Sequence, residues 1–501
     1  MSGTTPGGWL LVFTLALPAG GMLAAFALGG RAAERIALAA LGLGVLLAGA
    51  VAARVQAAGA PLAYLVGGRA PPLGIRLQAD GIAAAMLLTA SVVLLAVALF
   101  GRAAHATPPG VAEARAPFAF WTFLLALSAA LAAALLGADL FNLFVALEML
   151  TFAALSLACL DGRASQFRSE LRYLFFALIG SALYLLGTAL LYGAYGTLDI
   201  GLLAAHARAD APTLLAAALM TAGLLARMAL FPLHLWLPPA HAGAPPAASA
   251  LLSGLVVKAA FVLLLRVWVW VLPPAPAGAA APLLAGLGAA AILVGSLVAL
   301  RQERLKLLVA YSTVAQIGYL FLMLPLVLAG DAEAARRAWL GGVLQAASHA
   351  FAKAAMFLSA GLIAGAVGHD RVAALCGAGR AVPMAVIAFG LAGLSLVGIP
   401  PSGGFTAKWL LLTAAIGTGQ WWWAAVILGG GLLTGGYVYR VLAGSLTVPP
   451  ATAPQPEPQA PGPARVALAL ALVSVALGLL PFAAFGLVQI GRPGALAGAG
   501  P

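Results

Sequence analysis

The chain has 501 residues, of which 63% are hydrophobic and only 8% are charged. A soluble protein carries about 25% charged residues, so this composition excludes a soluble globular protein and indicates a protein of the lipid bilayer. The net charge of +12 does not indicate nucleic-acid binding, because the arginines stand singly between apolar runs, as loop charges that set membrane topology do.

Motifs of soluble cofactor chemistry are missing from the sequence. Cys159 and Cys376 stand in no CxxC or metal-ligand spacing, and the histidines form no HExxH pattern. There is no phosphate loop and no dinucleotide fingerprint. The sequence therefore predicts no cofactor, no metal site and no catalytic site within this chain. The first apolar run lacks a basic region before it, so we expect a retained helix rather than a signal peptide.

A membrane-spanning helix needs about 20 apolar residues, and this rule predicts an all-α polytopic protein with about fourteen spans. Spans 7 and 12 are interrupted by Pro232 and by Pro400 and Pro401, because proline removes a backbone donor. The expected limits of the spans are 8–29, 35–57, 81–101, 117–137, 139–160, 172–194, 213–237, 246–271, 280–301, 304–328, 337–366, 381–413, 420–445 and 464–490.

The loop charges predict the orientation of these spans. With the N-terminus outside, fourteen Lys and Arg residues fall in inner loops and eight on the outer side, Arg266 among the latter. Positive charge favours the cytoplasmic side, so we expect both termini to be periplasmic in a bacterial inner membrane. The stretch 448–465 contains seven prolines and predicts an extended linker, and 197–210 is expected at the interface.

Charged residues inside an apolar span are costly and are functional candidates by default. Glu148 is the only acid placed deep in a span, whereas Lys258, Lys353 and Lys408 all fall inside spans. The loops use Arg almost everywhere, with 22 arginines against four lysines in the chain. A desolvated lysine can release its proton and an arginine cannot, so these lysines suit a proton relay. The alternative is that they snorkel or cap helix ends.

Further titratable groups fall near the same spans. His349 precedes Lys353 by four residues and shares its helix face. Arg227 lies deep in span 7 and needs a partner, which predicts an ion pair with Glu148. His234 follows the break at Pro232 and is a secondary candidate together with Asp139 at the start of span 5. We expect His241 in a loop.

Six stretches carry a family resemblance, and they occur in family order from about residue 80 to 445. The chain resembles the antiporter-like subunits shared by respiratory complex I, membrane-bound hydrogenases and multisubunit Mrp-type cation/proton antiporters. The matching stretches are ADLFNLFVALEML (138–150), LLYGAYGTLDI (190–200), FPLHLWLPPAHAGAPPAASALLSGLVVKAAF (231–261), LKLLVAYSTVAQIGY (305–319), SHAFAKAAMF (348–357) and GIPPSGGFTAKWLL (398–411).

The resemblance implies two five-helix inverted repeats, each with one broken helix, helices 7 and 12. The domains would be helices 1–3 at 1–116, the repeats at 117–271 and 272–445, a Pro-rich linker at 446–465 and a last helix at 466–501. It also implies a hydrated proton path along the membrane centre. By the resemblance, Glu148, Lys258, Lys353 and Lys408 would form that path, with Arg227 at the position of the helix-7 cation. His349 is added to it because it shares the helix face of Lys353.

One position departs from the family pattern, because the cation of helix 7 is usually lysine and here is Arg227. The short C-terminal part and SALLSGLVVKAAF make the chain most similar to the D-type chain of Mrp antiporters, which exchange a monovalent cation for protons. The alternatives are a proton-pumping subunit of complex I or a hydrogenase, and an energising subunit for inorganic-carbon uptake. In each case the partners would be other membrane subunits, with protons and possibly Na⁺ or K⁺ as the ions.

Overall fold

The fold is known from a computed structural model, which describes residues 3–448 and 456–493. Long helices dominate it, and two short strands and three 3₁₀ turns complete the ordered elements. In the N-terminal half these are α1 (Trp9–Leu28), α2 (Gly30–Ala58), β1 (Leu62–Leu65), a 3₁₀ turn (Val66–Gly68), β2 (Arg76–Ala79), α3 (Gly81–Gly101), α4 (Arg115–Leu136), α5 (Leu140–Ala158), α6 (Ala164–Tyr195), α7 (Ile200–His206), α8 (Ala211–Arg227) and α9 (Leu237–Gly243).

The remaining elements follow without a further strand in the part of the chain that the structure describes. They are α10 (Pro246–Val271), α11 (Pro274–Arg301), α12 (Leu305–Val327), α13 (Ala332–Val367), a 3₁₀ turn (Val372–Ala374), α14 (Ala378–Ala381), α15 (Pro383–Val397), α16 (Gly403–Gly417), α17 (Trp421–Leu446), α18 (Pro461–Ala476) and a 3₁₀ turn (Phe482–Gln489).

Eleven of the described helices are long and apolar enough to cross a membrane. Three shorter apolar helices accompany them, namely α8, α15 and α18. A helix satisfies all of its backbone groups internally, which is the requirement that lipid imposes. The mostly helical membrane fold is therefore confirmed, while the count of fourteen spans and the division into two inverted repeats stay predictions.

Acidic and hydroxyl side chains begin several of these helices. Asp80, Asp139, Asp210 and Asp331 each accept a hydrogen bond from a backbone N–H of the first turn of α3, α5, α8 and α13. Ser402 does the same for α16. Such caps satisfy donors that would otherwise be unpaired at a helix start.

A small β-hairpin corrects the expectation of a purely helical chain. β1 and β2 pair antiparallel, with Leu62 opposite Ala79 and Leu65 opposite Arg76. The hairpin falls in the loop between α2 and α3, where the apolar periodicity of the spans is absent, so the span rule could not find it.

The two helix breaks stand where proline predicts them, but the first is longer than expected. Residues 228–236 are non-helical between α8 and α9, and α9 then continues to Gly243. The indole Nε1 of Trp236 donates a hydrogen bond of 2.8 Å to the carbonyl of Ala226. The second break covers residues 398–402, between α15 and α16. Freed carbonyls at both breaks find side-chain donors, as a membrane interior requires.

Other limits also differ from the sequence rule. α6 begins at Ala164, about two turns before the expected start of span 6. The span rule misses these turns because they carry charged residues. The last predicted span, 464–490, is divided into α18 and the 3₁₀ turn Phe482–Gln489. α18 begins at Pro461, inside the predicted linker, since proline suits the first turn of a helix. Residues 449–455 of that linker, and the terminal residues 1–2 and 494–501, lie outside the described residues.

Candidate proton path

An arginine and a glutamate meet where helix α8 breaks. Arg227 is the last residue of α8, and its Nη2 donates hydrogen bonds to Glu148 Oε1 of α5 and to Ser181 Oγ of α6. Its Nη1 donates to the carbonyl of Leu147 at 3.0 Å and to Thr151 Oγ1 at 2.9 Å. The predicted Glu148–Arg227 pair is therefore present, with two hydroxyls around it that the sequence did not indicate.

The two partners differ in burial. The Arg227 side chain is 6% exposed and that of Glu148 is 21% exposed. A permanent positive charge thus lies in the protein interior, while its partner reaches the edge of the subunit. Buried ion pairs depend on full hydrogen bonding of both partners, so separation of this pair would leave an uncompensated charge.

Close helix packing fixes the position of Arg227. A Cβ atom added to Gly180 of α6 would lie 2.6 Å from the carbonyl oxygen of Gly223 and 3.2 Å from Arg227 Cγ. Only glycine therefore allows α6 and α8 to approach this closely. Small residues serve the same purpose in other membrane helix pairs.

Lys258 and Lys353 are buried on helices that pack against one another. Lys258 lies in α10 just after a π-helical turn at Leu252–Val256. Its Nζ donates to the carbonyl of Ser253, five residues earlier. Lys353 is fully buried in α13, and its Nζ donates to the carbonyl of Val309 at 2.8 Å and to Ser312 Oγ. Both amino groups are bonded to neutral oxygens alone.

Lys408 spans the second helix break. It lies in α16, and its Nζ donates to the carbonyls of Leu396 at 2.6 Å and Val397 at 3.2 Å, at the end of α15. The same amino group lies 4.1 Å from the centroid of the Tyr319 ring. The two bonds to carbonyls at the end of α15 are the helix-capping role that the sequence left open. They do not prevent proton exchange by the amino group.

His349 is buried one turn before Lys353 on α13. Neither ring nitrogen has a hydrogen-bond partner, and Lys258, Lys353 and Lys408 all lie within electrostatic range of the ring. A buried polar group without a partner is unusual and suggests a functional role. The structure thus brings the three lysines and His349 into one buried group.

The secondary candidates and His241 are placed differently. His234 is buried in the first break, with an unpartnered Nδ1. Asp139 caps α5, more than two turns from Glu148, and is not part of the central row. His241 corrects the loop prediction, because it is buried in α9 and its ring stacks on Phe357 at 4.6 Å. A loop is the wrong expectation here because the chain resumes a helix after the break.

Three buried acids, Glu170, Asp80 and Asp199, escape the sequence prediction, and Asp199 is paired with Arg76. Glu170 of α6 is 1% exposed, and neither carboxylate oxygen has a hydrogen-bond partner. The sequence rule misses it because that rule starts span 6 at residue 172. Asp80 pairs with Arg266, whose Nη2 donates to Asp80 Oδ1 at 2.9 Å. The count of loop charges places Arg266 on the outer side of the membrane. In the structure Arg266 is buried in α10, because Asp80 supplies its counter-charge. Glu148 is therefore not the only deep acid.

A wide cavity opens at the face formed by the ends of α3, α5, α9 and α13, which we call the inner face. Its volume is about 1020 Å³, and its lining includes Gln166, Arg163, Lys306 and His105. Burial lowers the pKa of the His105 imidazole, and the carboxylate of Asp161 opposes this effect. Polar loops from five separate places in the chain thus meet at one water-accessible surface.

The described residues form no cluster of metal-ligating side chains. Within 3–448 and 456–493, no three His, Cys, Asp or Glu side chains stand close enough to hold a metal ion. Cys159 and Cys376 are both free thiols.

The fold and this row of buried ionisable groups define a polytopic membrane subunit of the ion-translocating class. Residues 137–434 match the family described as NADH:quinone oxidoreductase/Mrp antiporter, TM. The chain belongs to this family and is an antiporter-like subunit of it.

Relatives of the chain include subunits of quinone oxidoreductases and of Na(+)/H(+) antiporters. The chain is 35% identical to NADH-quinone oxidoreductase subunit N of Desulforudis audaxviator, over 80% of this chain and 78% of that protein. It is 30% identical to the D-type chain of the Na(+)/H(+) antiporter of Alkalihalophilus pseudofirmus, over 69% of this chain and 68% of that protein.

Chains of solved complexes of both kinds have a similar fold. A chain of the Mrp complex from Dietzia sp. DQ12-45-1b superposes with a TM-score of 0.86 at 27% identity, covering 98% of this chain and 96% of that chain. A chain of respiratory complex I from Thermus thermophilus gives a TM-score of 0.73 at 26% identity, covering 95% and 98%.

Proposed function

We propose that this chain moves protons across the membrane along Glu148, Arg227, Lys258, His349, Lys353 and Lys408. The first two form an ion pair at the break of α8, and the others form a buried group that ends at the break of α15 and α16. Breaks in membrane helices supply polar backbone groups beside a transport path.

The observation that carries this proposal is that Lys258, Lys353 and Lys408 have no ion-pair partner among the described residues. No lysine makes an ion pair with any residue in the described parts of the chain. Their amino groups are bonded to carbonyls and a hydroxyl, which can also hydrogen-bond a neutral amine. Loss of a proton therefore leaves no unpaired buried anion behind, and such a lysine can exchange protons.

Arg227 acts in this scheme through its position and not as a carrier. Its guanidinium keeps its proton. While it touches Glu148 it favours the ionised carboxylate, and movement away favours protonation of the same group. The two hydroxyls of Ser181 and Thr151 give the guanidinium neutral partners during such a movement.

The parent assembly is proposed to be a Mrp-type monovalent cation/proton antiporter, with this chain in the place of its D-type chain. The structural likeness to the Dietzia complex supports this choice. The second candidate is the subunit N position of an NADH:quinone oxidoreductase, which the 35% identity to the Desulforudis protein supports. In both cases other membrane subunits are the partners.

The proposed location is a bacterial inner membrane, with the inner face toward the cytoplasm and both termini periplasmic. The loops that line the inner cavity are those in which the sequence places the excess of Lys and Arg. Positive loops remain on the cytoplasmic side.

The test uses the complex purified with this chain and reconstituted with a trapped pH-sensitive dye. Proton flux is started in separate runs by NADH with quinone and by a Na⁺ pulse, so that either parent assembly is driven. We expect Lys353→Met to lower the flux about 100-fold, in the range found for loss of a positioned acid–base group. Lys353→Arg should lose as much, because arginine does not release its proton.

The matched control is Arg208→Met, which removes an exposed loop cation and should leave the flux unchanged. Retention of full flux by Lys353→Arg in a normally assembled complex would show that Lys353 acts only through its charge. The drive that produces flux in the unaltered complex also identifies the parent assembly.

A further inference from the structure

A buried acid near the inner face has no place in the path just described. Glu170 is 1% exposed, and both of its carboxylate oxygens lack hydrogen-bond partners. The arginines next to it on α6, Arg168 and Arg172, are exposed on other faces of the helix. Two titratable groups lie within electrostatic range of it, Cys159 just after α5 and Tyr173 of α6.

Such surroundings have a definite chemical consequence. An ionised carboxylate buried without a cation or hydrogen-bond donor is very unfavourable, and the group takes up a proton instead. A structural role would normally show itself as a hydrogen bond or an ion pair, and Glu170 has neither. An acid that is neutral at rest and can ionise for a short time is suited to carrying protons.

The position of Glu170 connects two parts of the structure. On the buried face of α6, Gln166, Glu170, Tyr173, Ala177 and Ser181 follow one another at helical spacing. Gln166, one turn before Glu170, lines the wide inner cavity. Ser181, at the far end of this face, is bonded to Arg227 and Glu148.

Between Glu170 and the ion pair lie one phenol and a small space. Tyr173 lies within electrostatic range of Glu170, Arg227 and Glu148. A small cavity of about 10 Å³ has both Tyr173 and Arg227 in its wall. This volume is close to the minimum that a single water molecule needs. A proton thus has a hydroxyl and a water-sized space between the two carboxyl groups.

We propose that Glu170 is the proton-loading group of the inner half-channel, between the inner cavity and the Glu148–Arg227 pair. The inference rests on the proposed proton path and adds its entry residue on the inner side. Water in the cavity gives a proton to the Glu170 carboxylate and leaves as hydroxide. Glu170 then passes the proton through Tyr173 and the small cavity to the Glu148 carboxylate, and is again an anion ready for the next proton.

The experiment compares Glu170→Gln with the unaltered chain in the reconstituted complex, under the two drives given above. Glutamine keeps the size of the side chain but cannot exchange a proton. We expect the flux to be at least about tenfold lower. This loss is smaller than the usual effect of removing an acid–base group, because water can bypass one site. Glu170→Asp should keep part of the flux, and Glu333→Gln, which alters an exposed acid on α13, should keep all of it.

A second readout separates proton carriage from a structural effect. Infrared spectra of the purified complex in H₂O and D₂O show the carbonyl stretch of protonated carboxyl groups. We expect one such band to be lost in Glu170→Gln and retained in Glu148→Gln. Lower flux with no change in that band means a structural role and overturns the inference.

The remaining outcomes are distinguishable from one another. Full flux in Glu170→Gln together with lost flux in Glu148→Gln overturns the role of Glu170 and leaves the central path intact. Full flux in Glu148→Gln overturns the proposed path itself, and the inference about Glu170 with it.

Discussion

At the scale of single residues, the unusual choice is arginine at position 227. The two terminal nitrogens of its guanidinium, Nη1 and Nη2, reach Glu148, Ser181, Thr151 and the carbonyl of Leu147 at once. Lysine has three donors and no fixed geometry, so it could not hold all four partners. The arginine thus favours a well-defined closed pair over proton exchange at this site.

We predict that Arg227→Lys retains proton flux and that Arg227→Ala abolishes it. Lysine keeps the positive charge near Glu148, whereas alanine leaves Glu148 without its partner. The measurement is dye-detected proton flux in the reconstituted complex, with amounts of assembled complex matched by gel. Full flux from the alanine variant would contradict the role of this charge as a switch.

The sequence could predict most of the central residues because charge inside an apolar span is rare. Lys258, Lys353 and Lys408 needed only this rule. Glu170 and Arg266 escaped it because they lie near span ends, where a charged residue is ordinarily a loop residue. Their burial depends on neighbours far away in the chain, such as Asp80 for Arg266, and no local pattern encodes that distance.

At the scale of helices, the two breaks place the cations. Arg227 ends α8, and Lys408 reaches back from α16 to the end of α15. Proline located both breaks in the sequence. It did not give the length of the first, because residues 228–236 are held by contacts such as that of Trp236 with Ala226.

Gly398 of the second break offers a test of this arrangement. Its φ is +89°, and an added Cβ would lie 2.9 Å from Lys408 Cδ. We predict that Gly398→Ala displaces the Lys408 side chain and costs about 1–2 kcal/mol of stability, because the left-handed backbone disfavours a side chain. Proton flux should fall together with the melting temperature of the complex.

Gly429→Ala is the matched control for this variant. A Cβ at Gly429 in α17 would have no neighbour within 4 Å, so both the flux and the melting temperature should stay near their original values. A Gly398→Ala complex with unchanged flux would mean that the exact position of Lys408 is unimportant.

At the scale of the whole molecule, the interior carries more positive than negative groups. The ion pairs of Arg227 and Arg266 are balanced, whereas the buried lysines are not. Sodium or potassium needs several oxygen ligands of negative or neutral character, and a row of amino groups repels both ions. This charge distribution supports protons as the ion that passes through this chain.

Composition and span length were sufficient to predict the membrane fold, because lipid permits few alternatives to helices. They could not predict the β-hairpin, or the meeting of five loops at the inner cavity, since both depend on how distant segments pack.

The most direct test of the central claim is the proton flux of the reconstituted complex when Lys258 is replaced by methionine. Lys258 lies on α10, which packs against α13, the helix of His349 and Lys353. Methionine fills the same buried volume without exchanging protons. The proposed path predicts that Lys258→Met lowers the flux by about 100-fold in a fully assembled complex. A flux equal to that of the unaltered complex would contradict it.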